Sequence, residues 1–140
     1  MMQEALNLLK AAKTFALLGA SAEPGKYGHK VFTALRGRYR VMPVNPKRTE
    51  IEGTRCYASY AELPEKPDAV ILALAPAVTE AVVPRIIAQG APLLWLPPEC
   101  FTEAAVEACK SAGVRVLFDV CPVGALLTLD RVGGNSESRA

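Results

Sequence analysis

The sequence predicts a doubly wound α/β domain: a mostly parallel sheet of five to six strands with helices on both faces. Three observations carry this expectation. Short apolar runs recur along the 140 residues and alternate with helix-like segments. The runs are apolar at nearly every position rather than at every second one, as strands must be when helices cover both faces. The spacing leaves room for a crossover helix between most runs, which is the pattern of βαβ units. A chain of this length makes one domain, read as residues 1–132 with a small, polar, flexible tail over 133–140.

Taken in order, a short helix over residues 3–12 leads into the first apolar run, FALLGA at 15–20. A helix over 28–36 separates it from YRVMPVN at 39–45, and a weakly marked short strand lies near 55–57. DAVILAL at 68–74 is the clearest strand. A helix over 78–89 follows, with Pro84 inside it, where a kink or a late start is expected. PLLWLP at 92–97 and VRVLFDV at 114–120 complete the set, with a helix over 102–111 between them. Thr102 followed by Glu103 is a plausible N-cap with dipole-favourable charge. Gly90 and Gly113 stand where helices commonly end.

Composition excludes several classes. Half of the residues are apolar (51%), too many for a disordered chain. No apolar run approaches the ~18 residues of a membrane span, and the N-terminal decapeptide carries Glu4 where a signal peptide needs positive charge. A cytoplasmic protein without membrane or nucleic-acid partners is expected. The four cysteines, Cys56, Cys100, Cys109 and Cys121, show neither a CxxC pair nor metal-like spacing with the single histidine, so free, mostly buried thiols are expected. Cys121, just before Pro122, is the place where a reactive thiol is conceivable. Between residues 24 and 49 stand Lys26, Lys30, Arg36, Arg38, Arg40, Lys47 and Arg48, with no Asp or Glu. Such asymmetry fits an anion site or a solvated basic face.

In an open parallel sheet, ligands bind beyond the carboxyl ends of the strands. The loop after the first strand, Gly19-Ala-Ser-Ala-Glu-Pro-Gly-Lys-Tyr-Gly28, is glycine-rich and opens a helix. A phosphate can rest there against backbone N–H groups, with Lys26 adding charge. Its spacing is neither GxGxxG nor a P-loop. The second strand ends in Pro43-Val-Asn-Pro-Lys47. Dinucleotide enzymes place a carboxylate here for a ribose hydroxyl, whereas Asn45 and Lys47 suit a ribose that carries a 3′- or 2′-phosphate. Coenzyme A or NADP therefore fits better than NAD, and Asn45-Pro46 as a plain turn is the structural alternative. Ala75-Pro76 is either a helix start or an apolar wall for a ligand, and Glu99 after Pro98 either binds a ligand or caps the next helix. No carboxylate pair, serine elbow or metal cluster is legible, and His29 lies in the first turn of a helix rather than in a catalytic constellation.

These motifs resemble the small bacterial and archaeal CoA-binding proteins, which are similar to the N-terminal domain of the succinyl-CoA synthetase α subunit. The likeness runs in order from about residue 12 to 122 and is carried by GAS with PGKYG at 19–28, by PVNPK at 43–47, and by the 52–68 segment with its Leu63-Pro64 and Pro67-Asp68 pairs. It implies a Rossmann-like fold and coenzyme A, or an acyl-CoA, as ligand. It further implies that Gly19, Ala20 and Ser21, in the loop that continues through Lys26, Tyr27 and Gly28, face the CoA phosphates. Asn45, Pro46 and Lys47 then meet the adenosine-phosphate end, Ala75-Pro76 borders the nucleotide, and Pro98-Glu99 matches a CoA-contacting segment. Where the family has Asp-Arg-Cys-Pro, this chain reads Asp119-Val-Cys-Pro122. The synthetase's phosphohistidine belongs to a further domain that these residues do not contain. The expectation is thus a binding protein without catalysis of its own, with an NADP-linked oxidoreductase, or a regulatory or scaffold partner of a larger acyl-CoA synthetase, as alternatives. A homodimer, or docking on an acyl-CoA-using enzyme, is compatible with its apolar helices.

Overall fold

In a computed structural model of the chain, residues 1–139 are described, with side chains through Gly133. The elements run α1 (Met2–Ala11), β1 (Thr14–Leu18), α2 (Tyr27–Leu35), β2 (Arg40–Val44), β3 (Glu50–Ile51) and β4 (Thr54–Arg55). After a 3-10 turn at Tyr60–Glu62 come β5 (Ala69–Leu72), α3 (Pro76–Ala88), β6 (Leu93–Leu96), α4 (Glu103–Ser111), β7 (Arg115–Phe118) and α5 (Pro122–Arg139). Five strands form one parallel sheet in the order β2-β1-β5-β6-β7. The expected α/β architecture, Rossmann-like with helices on both faces, is the one found.

Alternation along each strand divides the core in two. Phe15 and Leu17, with Ile71, Trp95 and Leu117, pack beneath α1, α2 and α5 through Leu9, Phe32, Leu35 and Leu126. Ala16 and Leu18, with Val70, Leu72, Leu94 and Leu96, pack beneath α3 and α4 through Val83, Ile86 and Val106. Every residue of β5 and of β6 is buried, which is why these runs read as continuously apolar. Trp95 spans the first layer and donates from Nε1 to the Val120 carbonyl at 2.7 Å, which anchors the start of α5 to the sheet.

Three details depart from the expected elements. The weak strand near 55–57 is not a sixth member of the sheet. Thr54–Arg55 pairs instead with Glu50–Ile51 as a separate antiparallel hairpin, and Tyr57 makes one parallel bridge to Val44. Helix α3 starts at Pro76 and continues through Pro84, whose ring is exposed, so no neighbour is displaced. Helix α5 was not among the expected elements; its glycines weaken the local signal, and packing of Ala125 and Leu126 supplies what propensity lacks. The terminal tail expected over 133–140 falls almost wholly outside the described side chains.

Candidate functional site at the carboxyl edge

Strand order reverses between β1 and β5, so the crevice beyond their carboxyl ends is the place for a ligand. The chain crosses it with almost no room to spare. Gly19, at φ +84°, sits where a Cβ would lie 2.2 Å from the Ala73 carbonyl oxygen. Gly28, in the first turn of α2, sits where a Cβ would lie 1.9 Å from the Gly19 carbonyl oxygen. Two bare backbones thus bring β1, β5 and α2 together, a role that a larger residue cannot fill. The Gly19 N–H donates to the Val44 carbonyl at 3.1 Å, and the Ala73 N–H to the Leu18 carbonyl at 2.8 Å, which ties in the loops on either side.

Two helices begin at this crevice, α2 after Lys26 and α3 after Ala75, and neither has a side-chain cap. Their leading N–H groups are therefore open to a ligand. Helix α4, which does not flank the reversal point, has its own cap: Thr102 Oγ1 accepts from the Ala105 N–H at 3.1 Å. The expectation for Thr102 holds.

Beside the glycine turn, Asn45 locks two loops together. Its Nδ2 donates to the Ala20 carbonyl at 2.9 Å, and its Oδ1 accepts from the Lys47 N–H at 2.9 Å. Both ends of the amide are thereby used within the protein. Ser21 Oγ accepts from the Glu23 N–H at 3.0 Å and holds the turn in the same way.

Three cavities follow one another along the edge. The first, about 360 Å³, is lined by Pro46, Lys47, Arg48 and Arg55, with Glu62 as the one carboxylate in its wall, and is net cationic. The second, about 450 Å³, is mainly apolar; Pro46, Val44, Gly19 and Leu74 meet Tyr60 and the Val78–Val82–Arg85 face of α3 there. The third, about 400 Å³, is lined by Tyr27, Leu74, Ala75, Pro98, Glu99, Cys100 and Cys121. Pro46 is common to the first two, and Leu74 to the last two. Lys26 and Tyr27 also line an opening of about 440 Å³ at the start of α2. Pro76 stands at the start of α3, next to Ala75 of the third cavity. A further cavity of about 460 Å³, on the outer side of β2, has Arg36 and Arg40 in its wall. Those two arginines are already engaged by Glu52 and Glu65.

The third cavity is chemically distinct. The Tyr27 hydroxyl lies 3.1 Å from Cys121 Sγ. Burial, and then the contact with Cys121, push the Tyr27 phenol far above the ordinary tyrosine range, so it keeps its proton and can donate to the sulfur or accept from the thiol. Burial likewise raises the Cys100 thiol. Glu99 and Asp119, on the loops that close this cavity, both have left-handed backbones, at φ +65° and +59°. For non-glycine residues that is a conformation held by its surroundings.

Sequence reasoning singled out Gly19, Ala20, Ser21, Lys26, Tyr27, Gly28, Asn45, Pro46, Lys47, Ala75, Pro76, Pro98 and Glu99, and all of them lie on this one edge. It missed Arg55, Tyr60, Arg85 and Cys100 as wall residues. For α3 the signal was present: 78, 82, 85 and 89 are helix-spaced and form one wall of the second cavity. Arg55 and Tyr60 had no local signal.

A family model described as a CoA binding domain matches residues 13–126. The chain is 27% identical over 119 residues to the uncharacterized protein YneT of Bacillus subtilis, an alignment covering 84% of this chain and 88% of that one. It is 37% identical over 102 residues to the ADP-forming acetate–CoA ligase I of Archaeoglobus fulgidus, covering 70% of this chain but 14% of that ligase. A hypothetical protein from Pyrococcus horikoshii OT3 superposes with a TM-score of 0.84 at 29% identity, over 92% of each chain.

Proposed function

The chain belongs to the CoA binding domain family, and from that premise we propose that it binds CoA, or an acyl-CoA, along the carboxyl edge of its sheet. The 3′-phosphate sits against Lys47, Arg48 and Arg55. The adenine lies on the apolar wall of the second cavity. The diphosphate rests at the uncapped first turn of α2 beside Gly19 and Gly28, and the pantetheine arm enters the cavity of Tyr27 and Cys121. The observation that supports this reading is the serial order of the cavities. Cationic, apolar and thiol-lined spaces share walls in the sequence that the parts of CoA themselves have.

The domain then acts as a binding module without catalysis of its own; the stretch it matches makes up 14% of the Archaeoglobus fulgidus ligase. Calorimetric titration with CoA, dephospho-CoA, NADP and ADP at fixed salt tests this. We expect CoA to bind roughly tenfold or more tightly than dephospho-CoA, the worth of one or two charge-assisted contacts. Lys47→Glu should weaken CoA far more than dephospho-CoA. Equal losses for both would remove the phosphate from Lys47. Heat from NADP alone would turn the reading to an oxidoreductase, and silence from all four ligands to a scaffold.

A further inference from the structure

Four free thiols lie in the chain, and three of them are buried: Cys56, Cys100 and Cys109. Burial raises each of these, Cys109 to about 11. Cys121 differs in its placement. It is half-buried and lines the third cavity, and the Tyr27 hydroxyl points at its sulfur from 3.1 Å. It also stands immediately ahead of α5, its carbonyl accepting from the Ala125 N–H at 2.8 Å. When the sulfur is a thiolate, the Tyr27 hydroxyl is the donor it faces. Ala75 and Glu99 are exposed at the rim of the same cavity, which leaves its mouth open to a bulky group.

We propose that Cys121 is a thiol–disulfide exchange site whose partner is the sulfur of CoA, so that the domain captures CoA from CoA disulfide as a protein–CoA mixed disulfide. This rests on the CoA reading above. The Cys121 thiolate, its proton released to water, attacks the sulfur of the seated half of CoA disulfide. A Cys121–CoA disulfide forms, the CoA–CoA disulfide breaks, and the second CoA leaves through the open mouth as a thiolate that takes up a proton. The disulfide consumed supplies the oxidising equivalents, and no other oxidant takes part. Free thiols run the exchange backwards and release CoA.

The reduced full chain, incubated with CoA disulfide and separately with glutathione disulfide, gives the test by intact mass and peptide mapping. One CoA per chain is expected on the Cys121 peptide, reversed by dithiothreitol. Labelling should run roughly tenfold or more faster than with glutathione disulfide, because seating raises the local concentration of the reacting sulfur. Cys121→Ser should take up no CoA, while Cys109→Ser, on the opposite face of the sheet, should label like the parent. Lys47→Glu should slow CoA labelling and leave glutathione labelling alone. The proposal is overturned if calorimetry shows CoA binding yet no adduct forms, if the adduct maps to Cys100, or if both disulfides label Cys121 equally fast. Absence of CoA binding in calorimetry removes the CoA reading itself, and the exchange site with it.

Discussion

Gly28 carries the tightest steric condition in the site, and replacing it separates backbone packing from ordinary helix propensity. Alanine there would place a methyl 1.9 Å from the Gly19 carbonyl oxygen, which is backbone and cannot swing aside. Gly28→Ala should therefore lose about 2–3 kcal/mol in urea unfolding, toward the upper end of the usual cost of overpacking. Gly37→Ala, with nothing within 4 Å of the new methyl, should stay within about 0.5 kcal/mol of the parent. Much of this residue-scale design was legible, because the glycine turn and the Asn45–Lys47 turn are local features. The roles of Arg55, Tyr60 and Cys100 were not. Each reaches the edge through a contact between distant stretches of chain, as when the Tyr57 N–H donates to the Pro43 carbonyl. No short window of sequence contains that information.

At the scale of elements, the strands were legible because burial on both faces leaves an unbroken apolar run, and the two-residue hairpin was not. Its turn puts Glu52 at φ +48° ahead of Gly53, a position that usually falls to asparagine or glycine. Glu52 is held there from α2, by His29 Nε2 at 2.7 Å and Arg36 Nη1 at 2.8 Å. At the opposite edge of the sheet, Asp68 joins the amino ends of β1 and β5 by accepting the Lys13 and Thr14 N–H groups at 2.8 and 3.1 Å. These bonds hold its carboxyl below the usual range. The folded group thus ionises at lower pH than the unfolded one, whose value is about 3.9. Its contribution is complete above that value and disappears as pH falls through the lower, folded value. Asp68→Asn should reduce Tm at pH 7, and the gap to the parent should close as the pH is lowered through that window. A gap independent of pH would locate the loss elsewhere. Proline at 43 fits the same logic of local bonding. Its carbonyl faces outward to Tyr57 from the edge strand, where an N–H would have no strand partner, so its absence costs little.

Across the whole molecule, the basic stretch between residues 24 and 49 divides into two populations. Arg36, Arg38 and Arg40 are paired with Glu52, Asp130 and Glu65. Among the described residues, Lys26, Lys30, Lys47 and Arg48 make no such pair, and all four line cavities at the ligand edge. This stretch therefore keeps its unpaired charge where a phosphorylated ligand would lie, and that charge is exposed to solvent. CoA affinity should fall as salt is raised, since ions screen exposed charges over about 8–10 Å. The slope of log Kd against log salt should flatten in Lys47→Glu, and an unchanged slope would show that Lys47 takes no part. The amide of Asn45 has its own consequence at this scale. Because it already joins the glycine turn to the Lys47 turn, both loops are in place before any ligand arrives, and association has little chain left to order. The conformational entropy of that ordering is settled during folding rather than at binding. The heat-capacity change on taking up CoA should accordingly be negative but modest, matching the apolar area covered in the second and third cavities without the surplus of coupled folding. Asn45→Ala should make it more negative and slow the association, as two loops that now move independently find each other around the ligand.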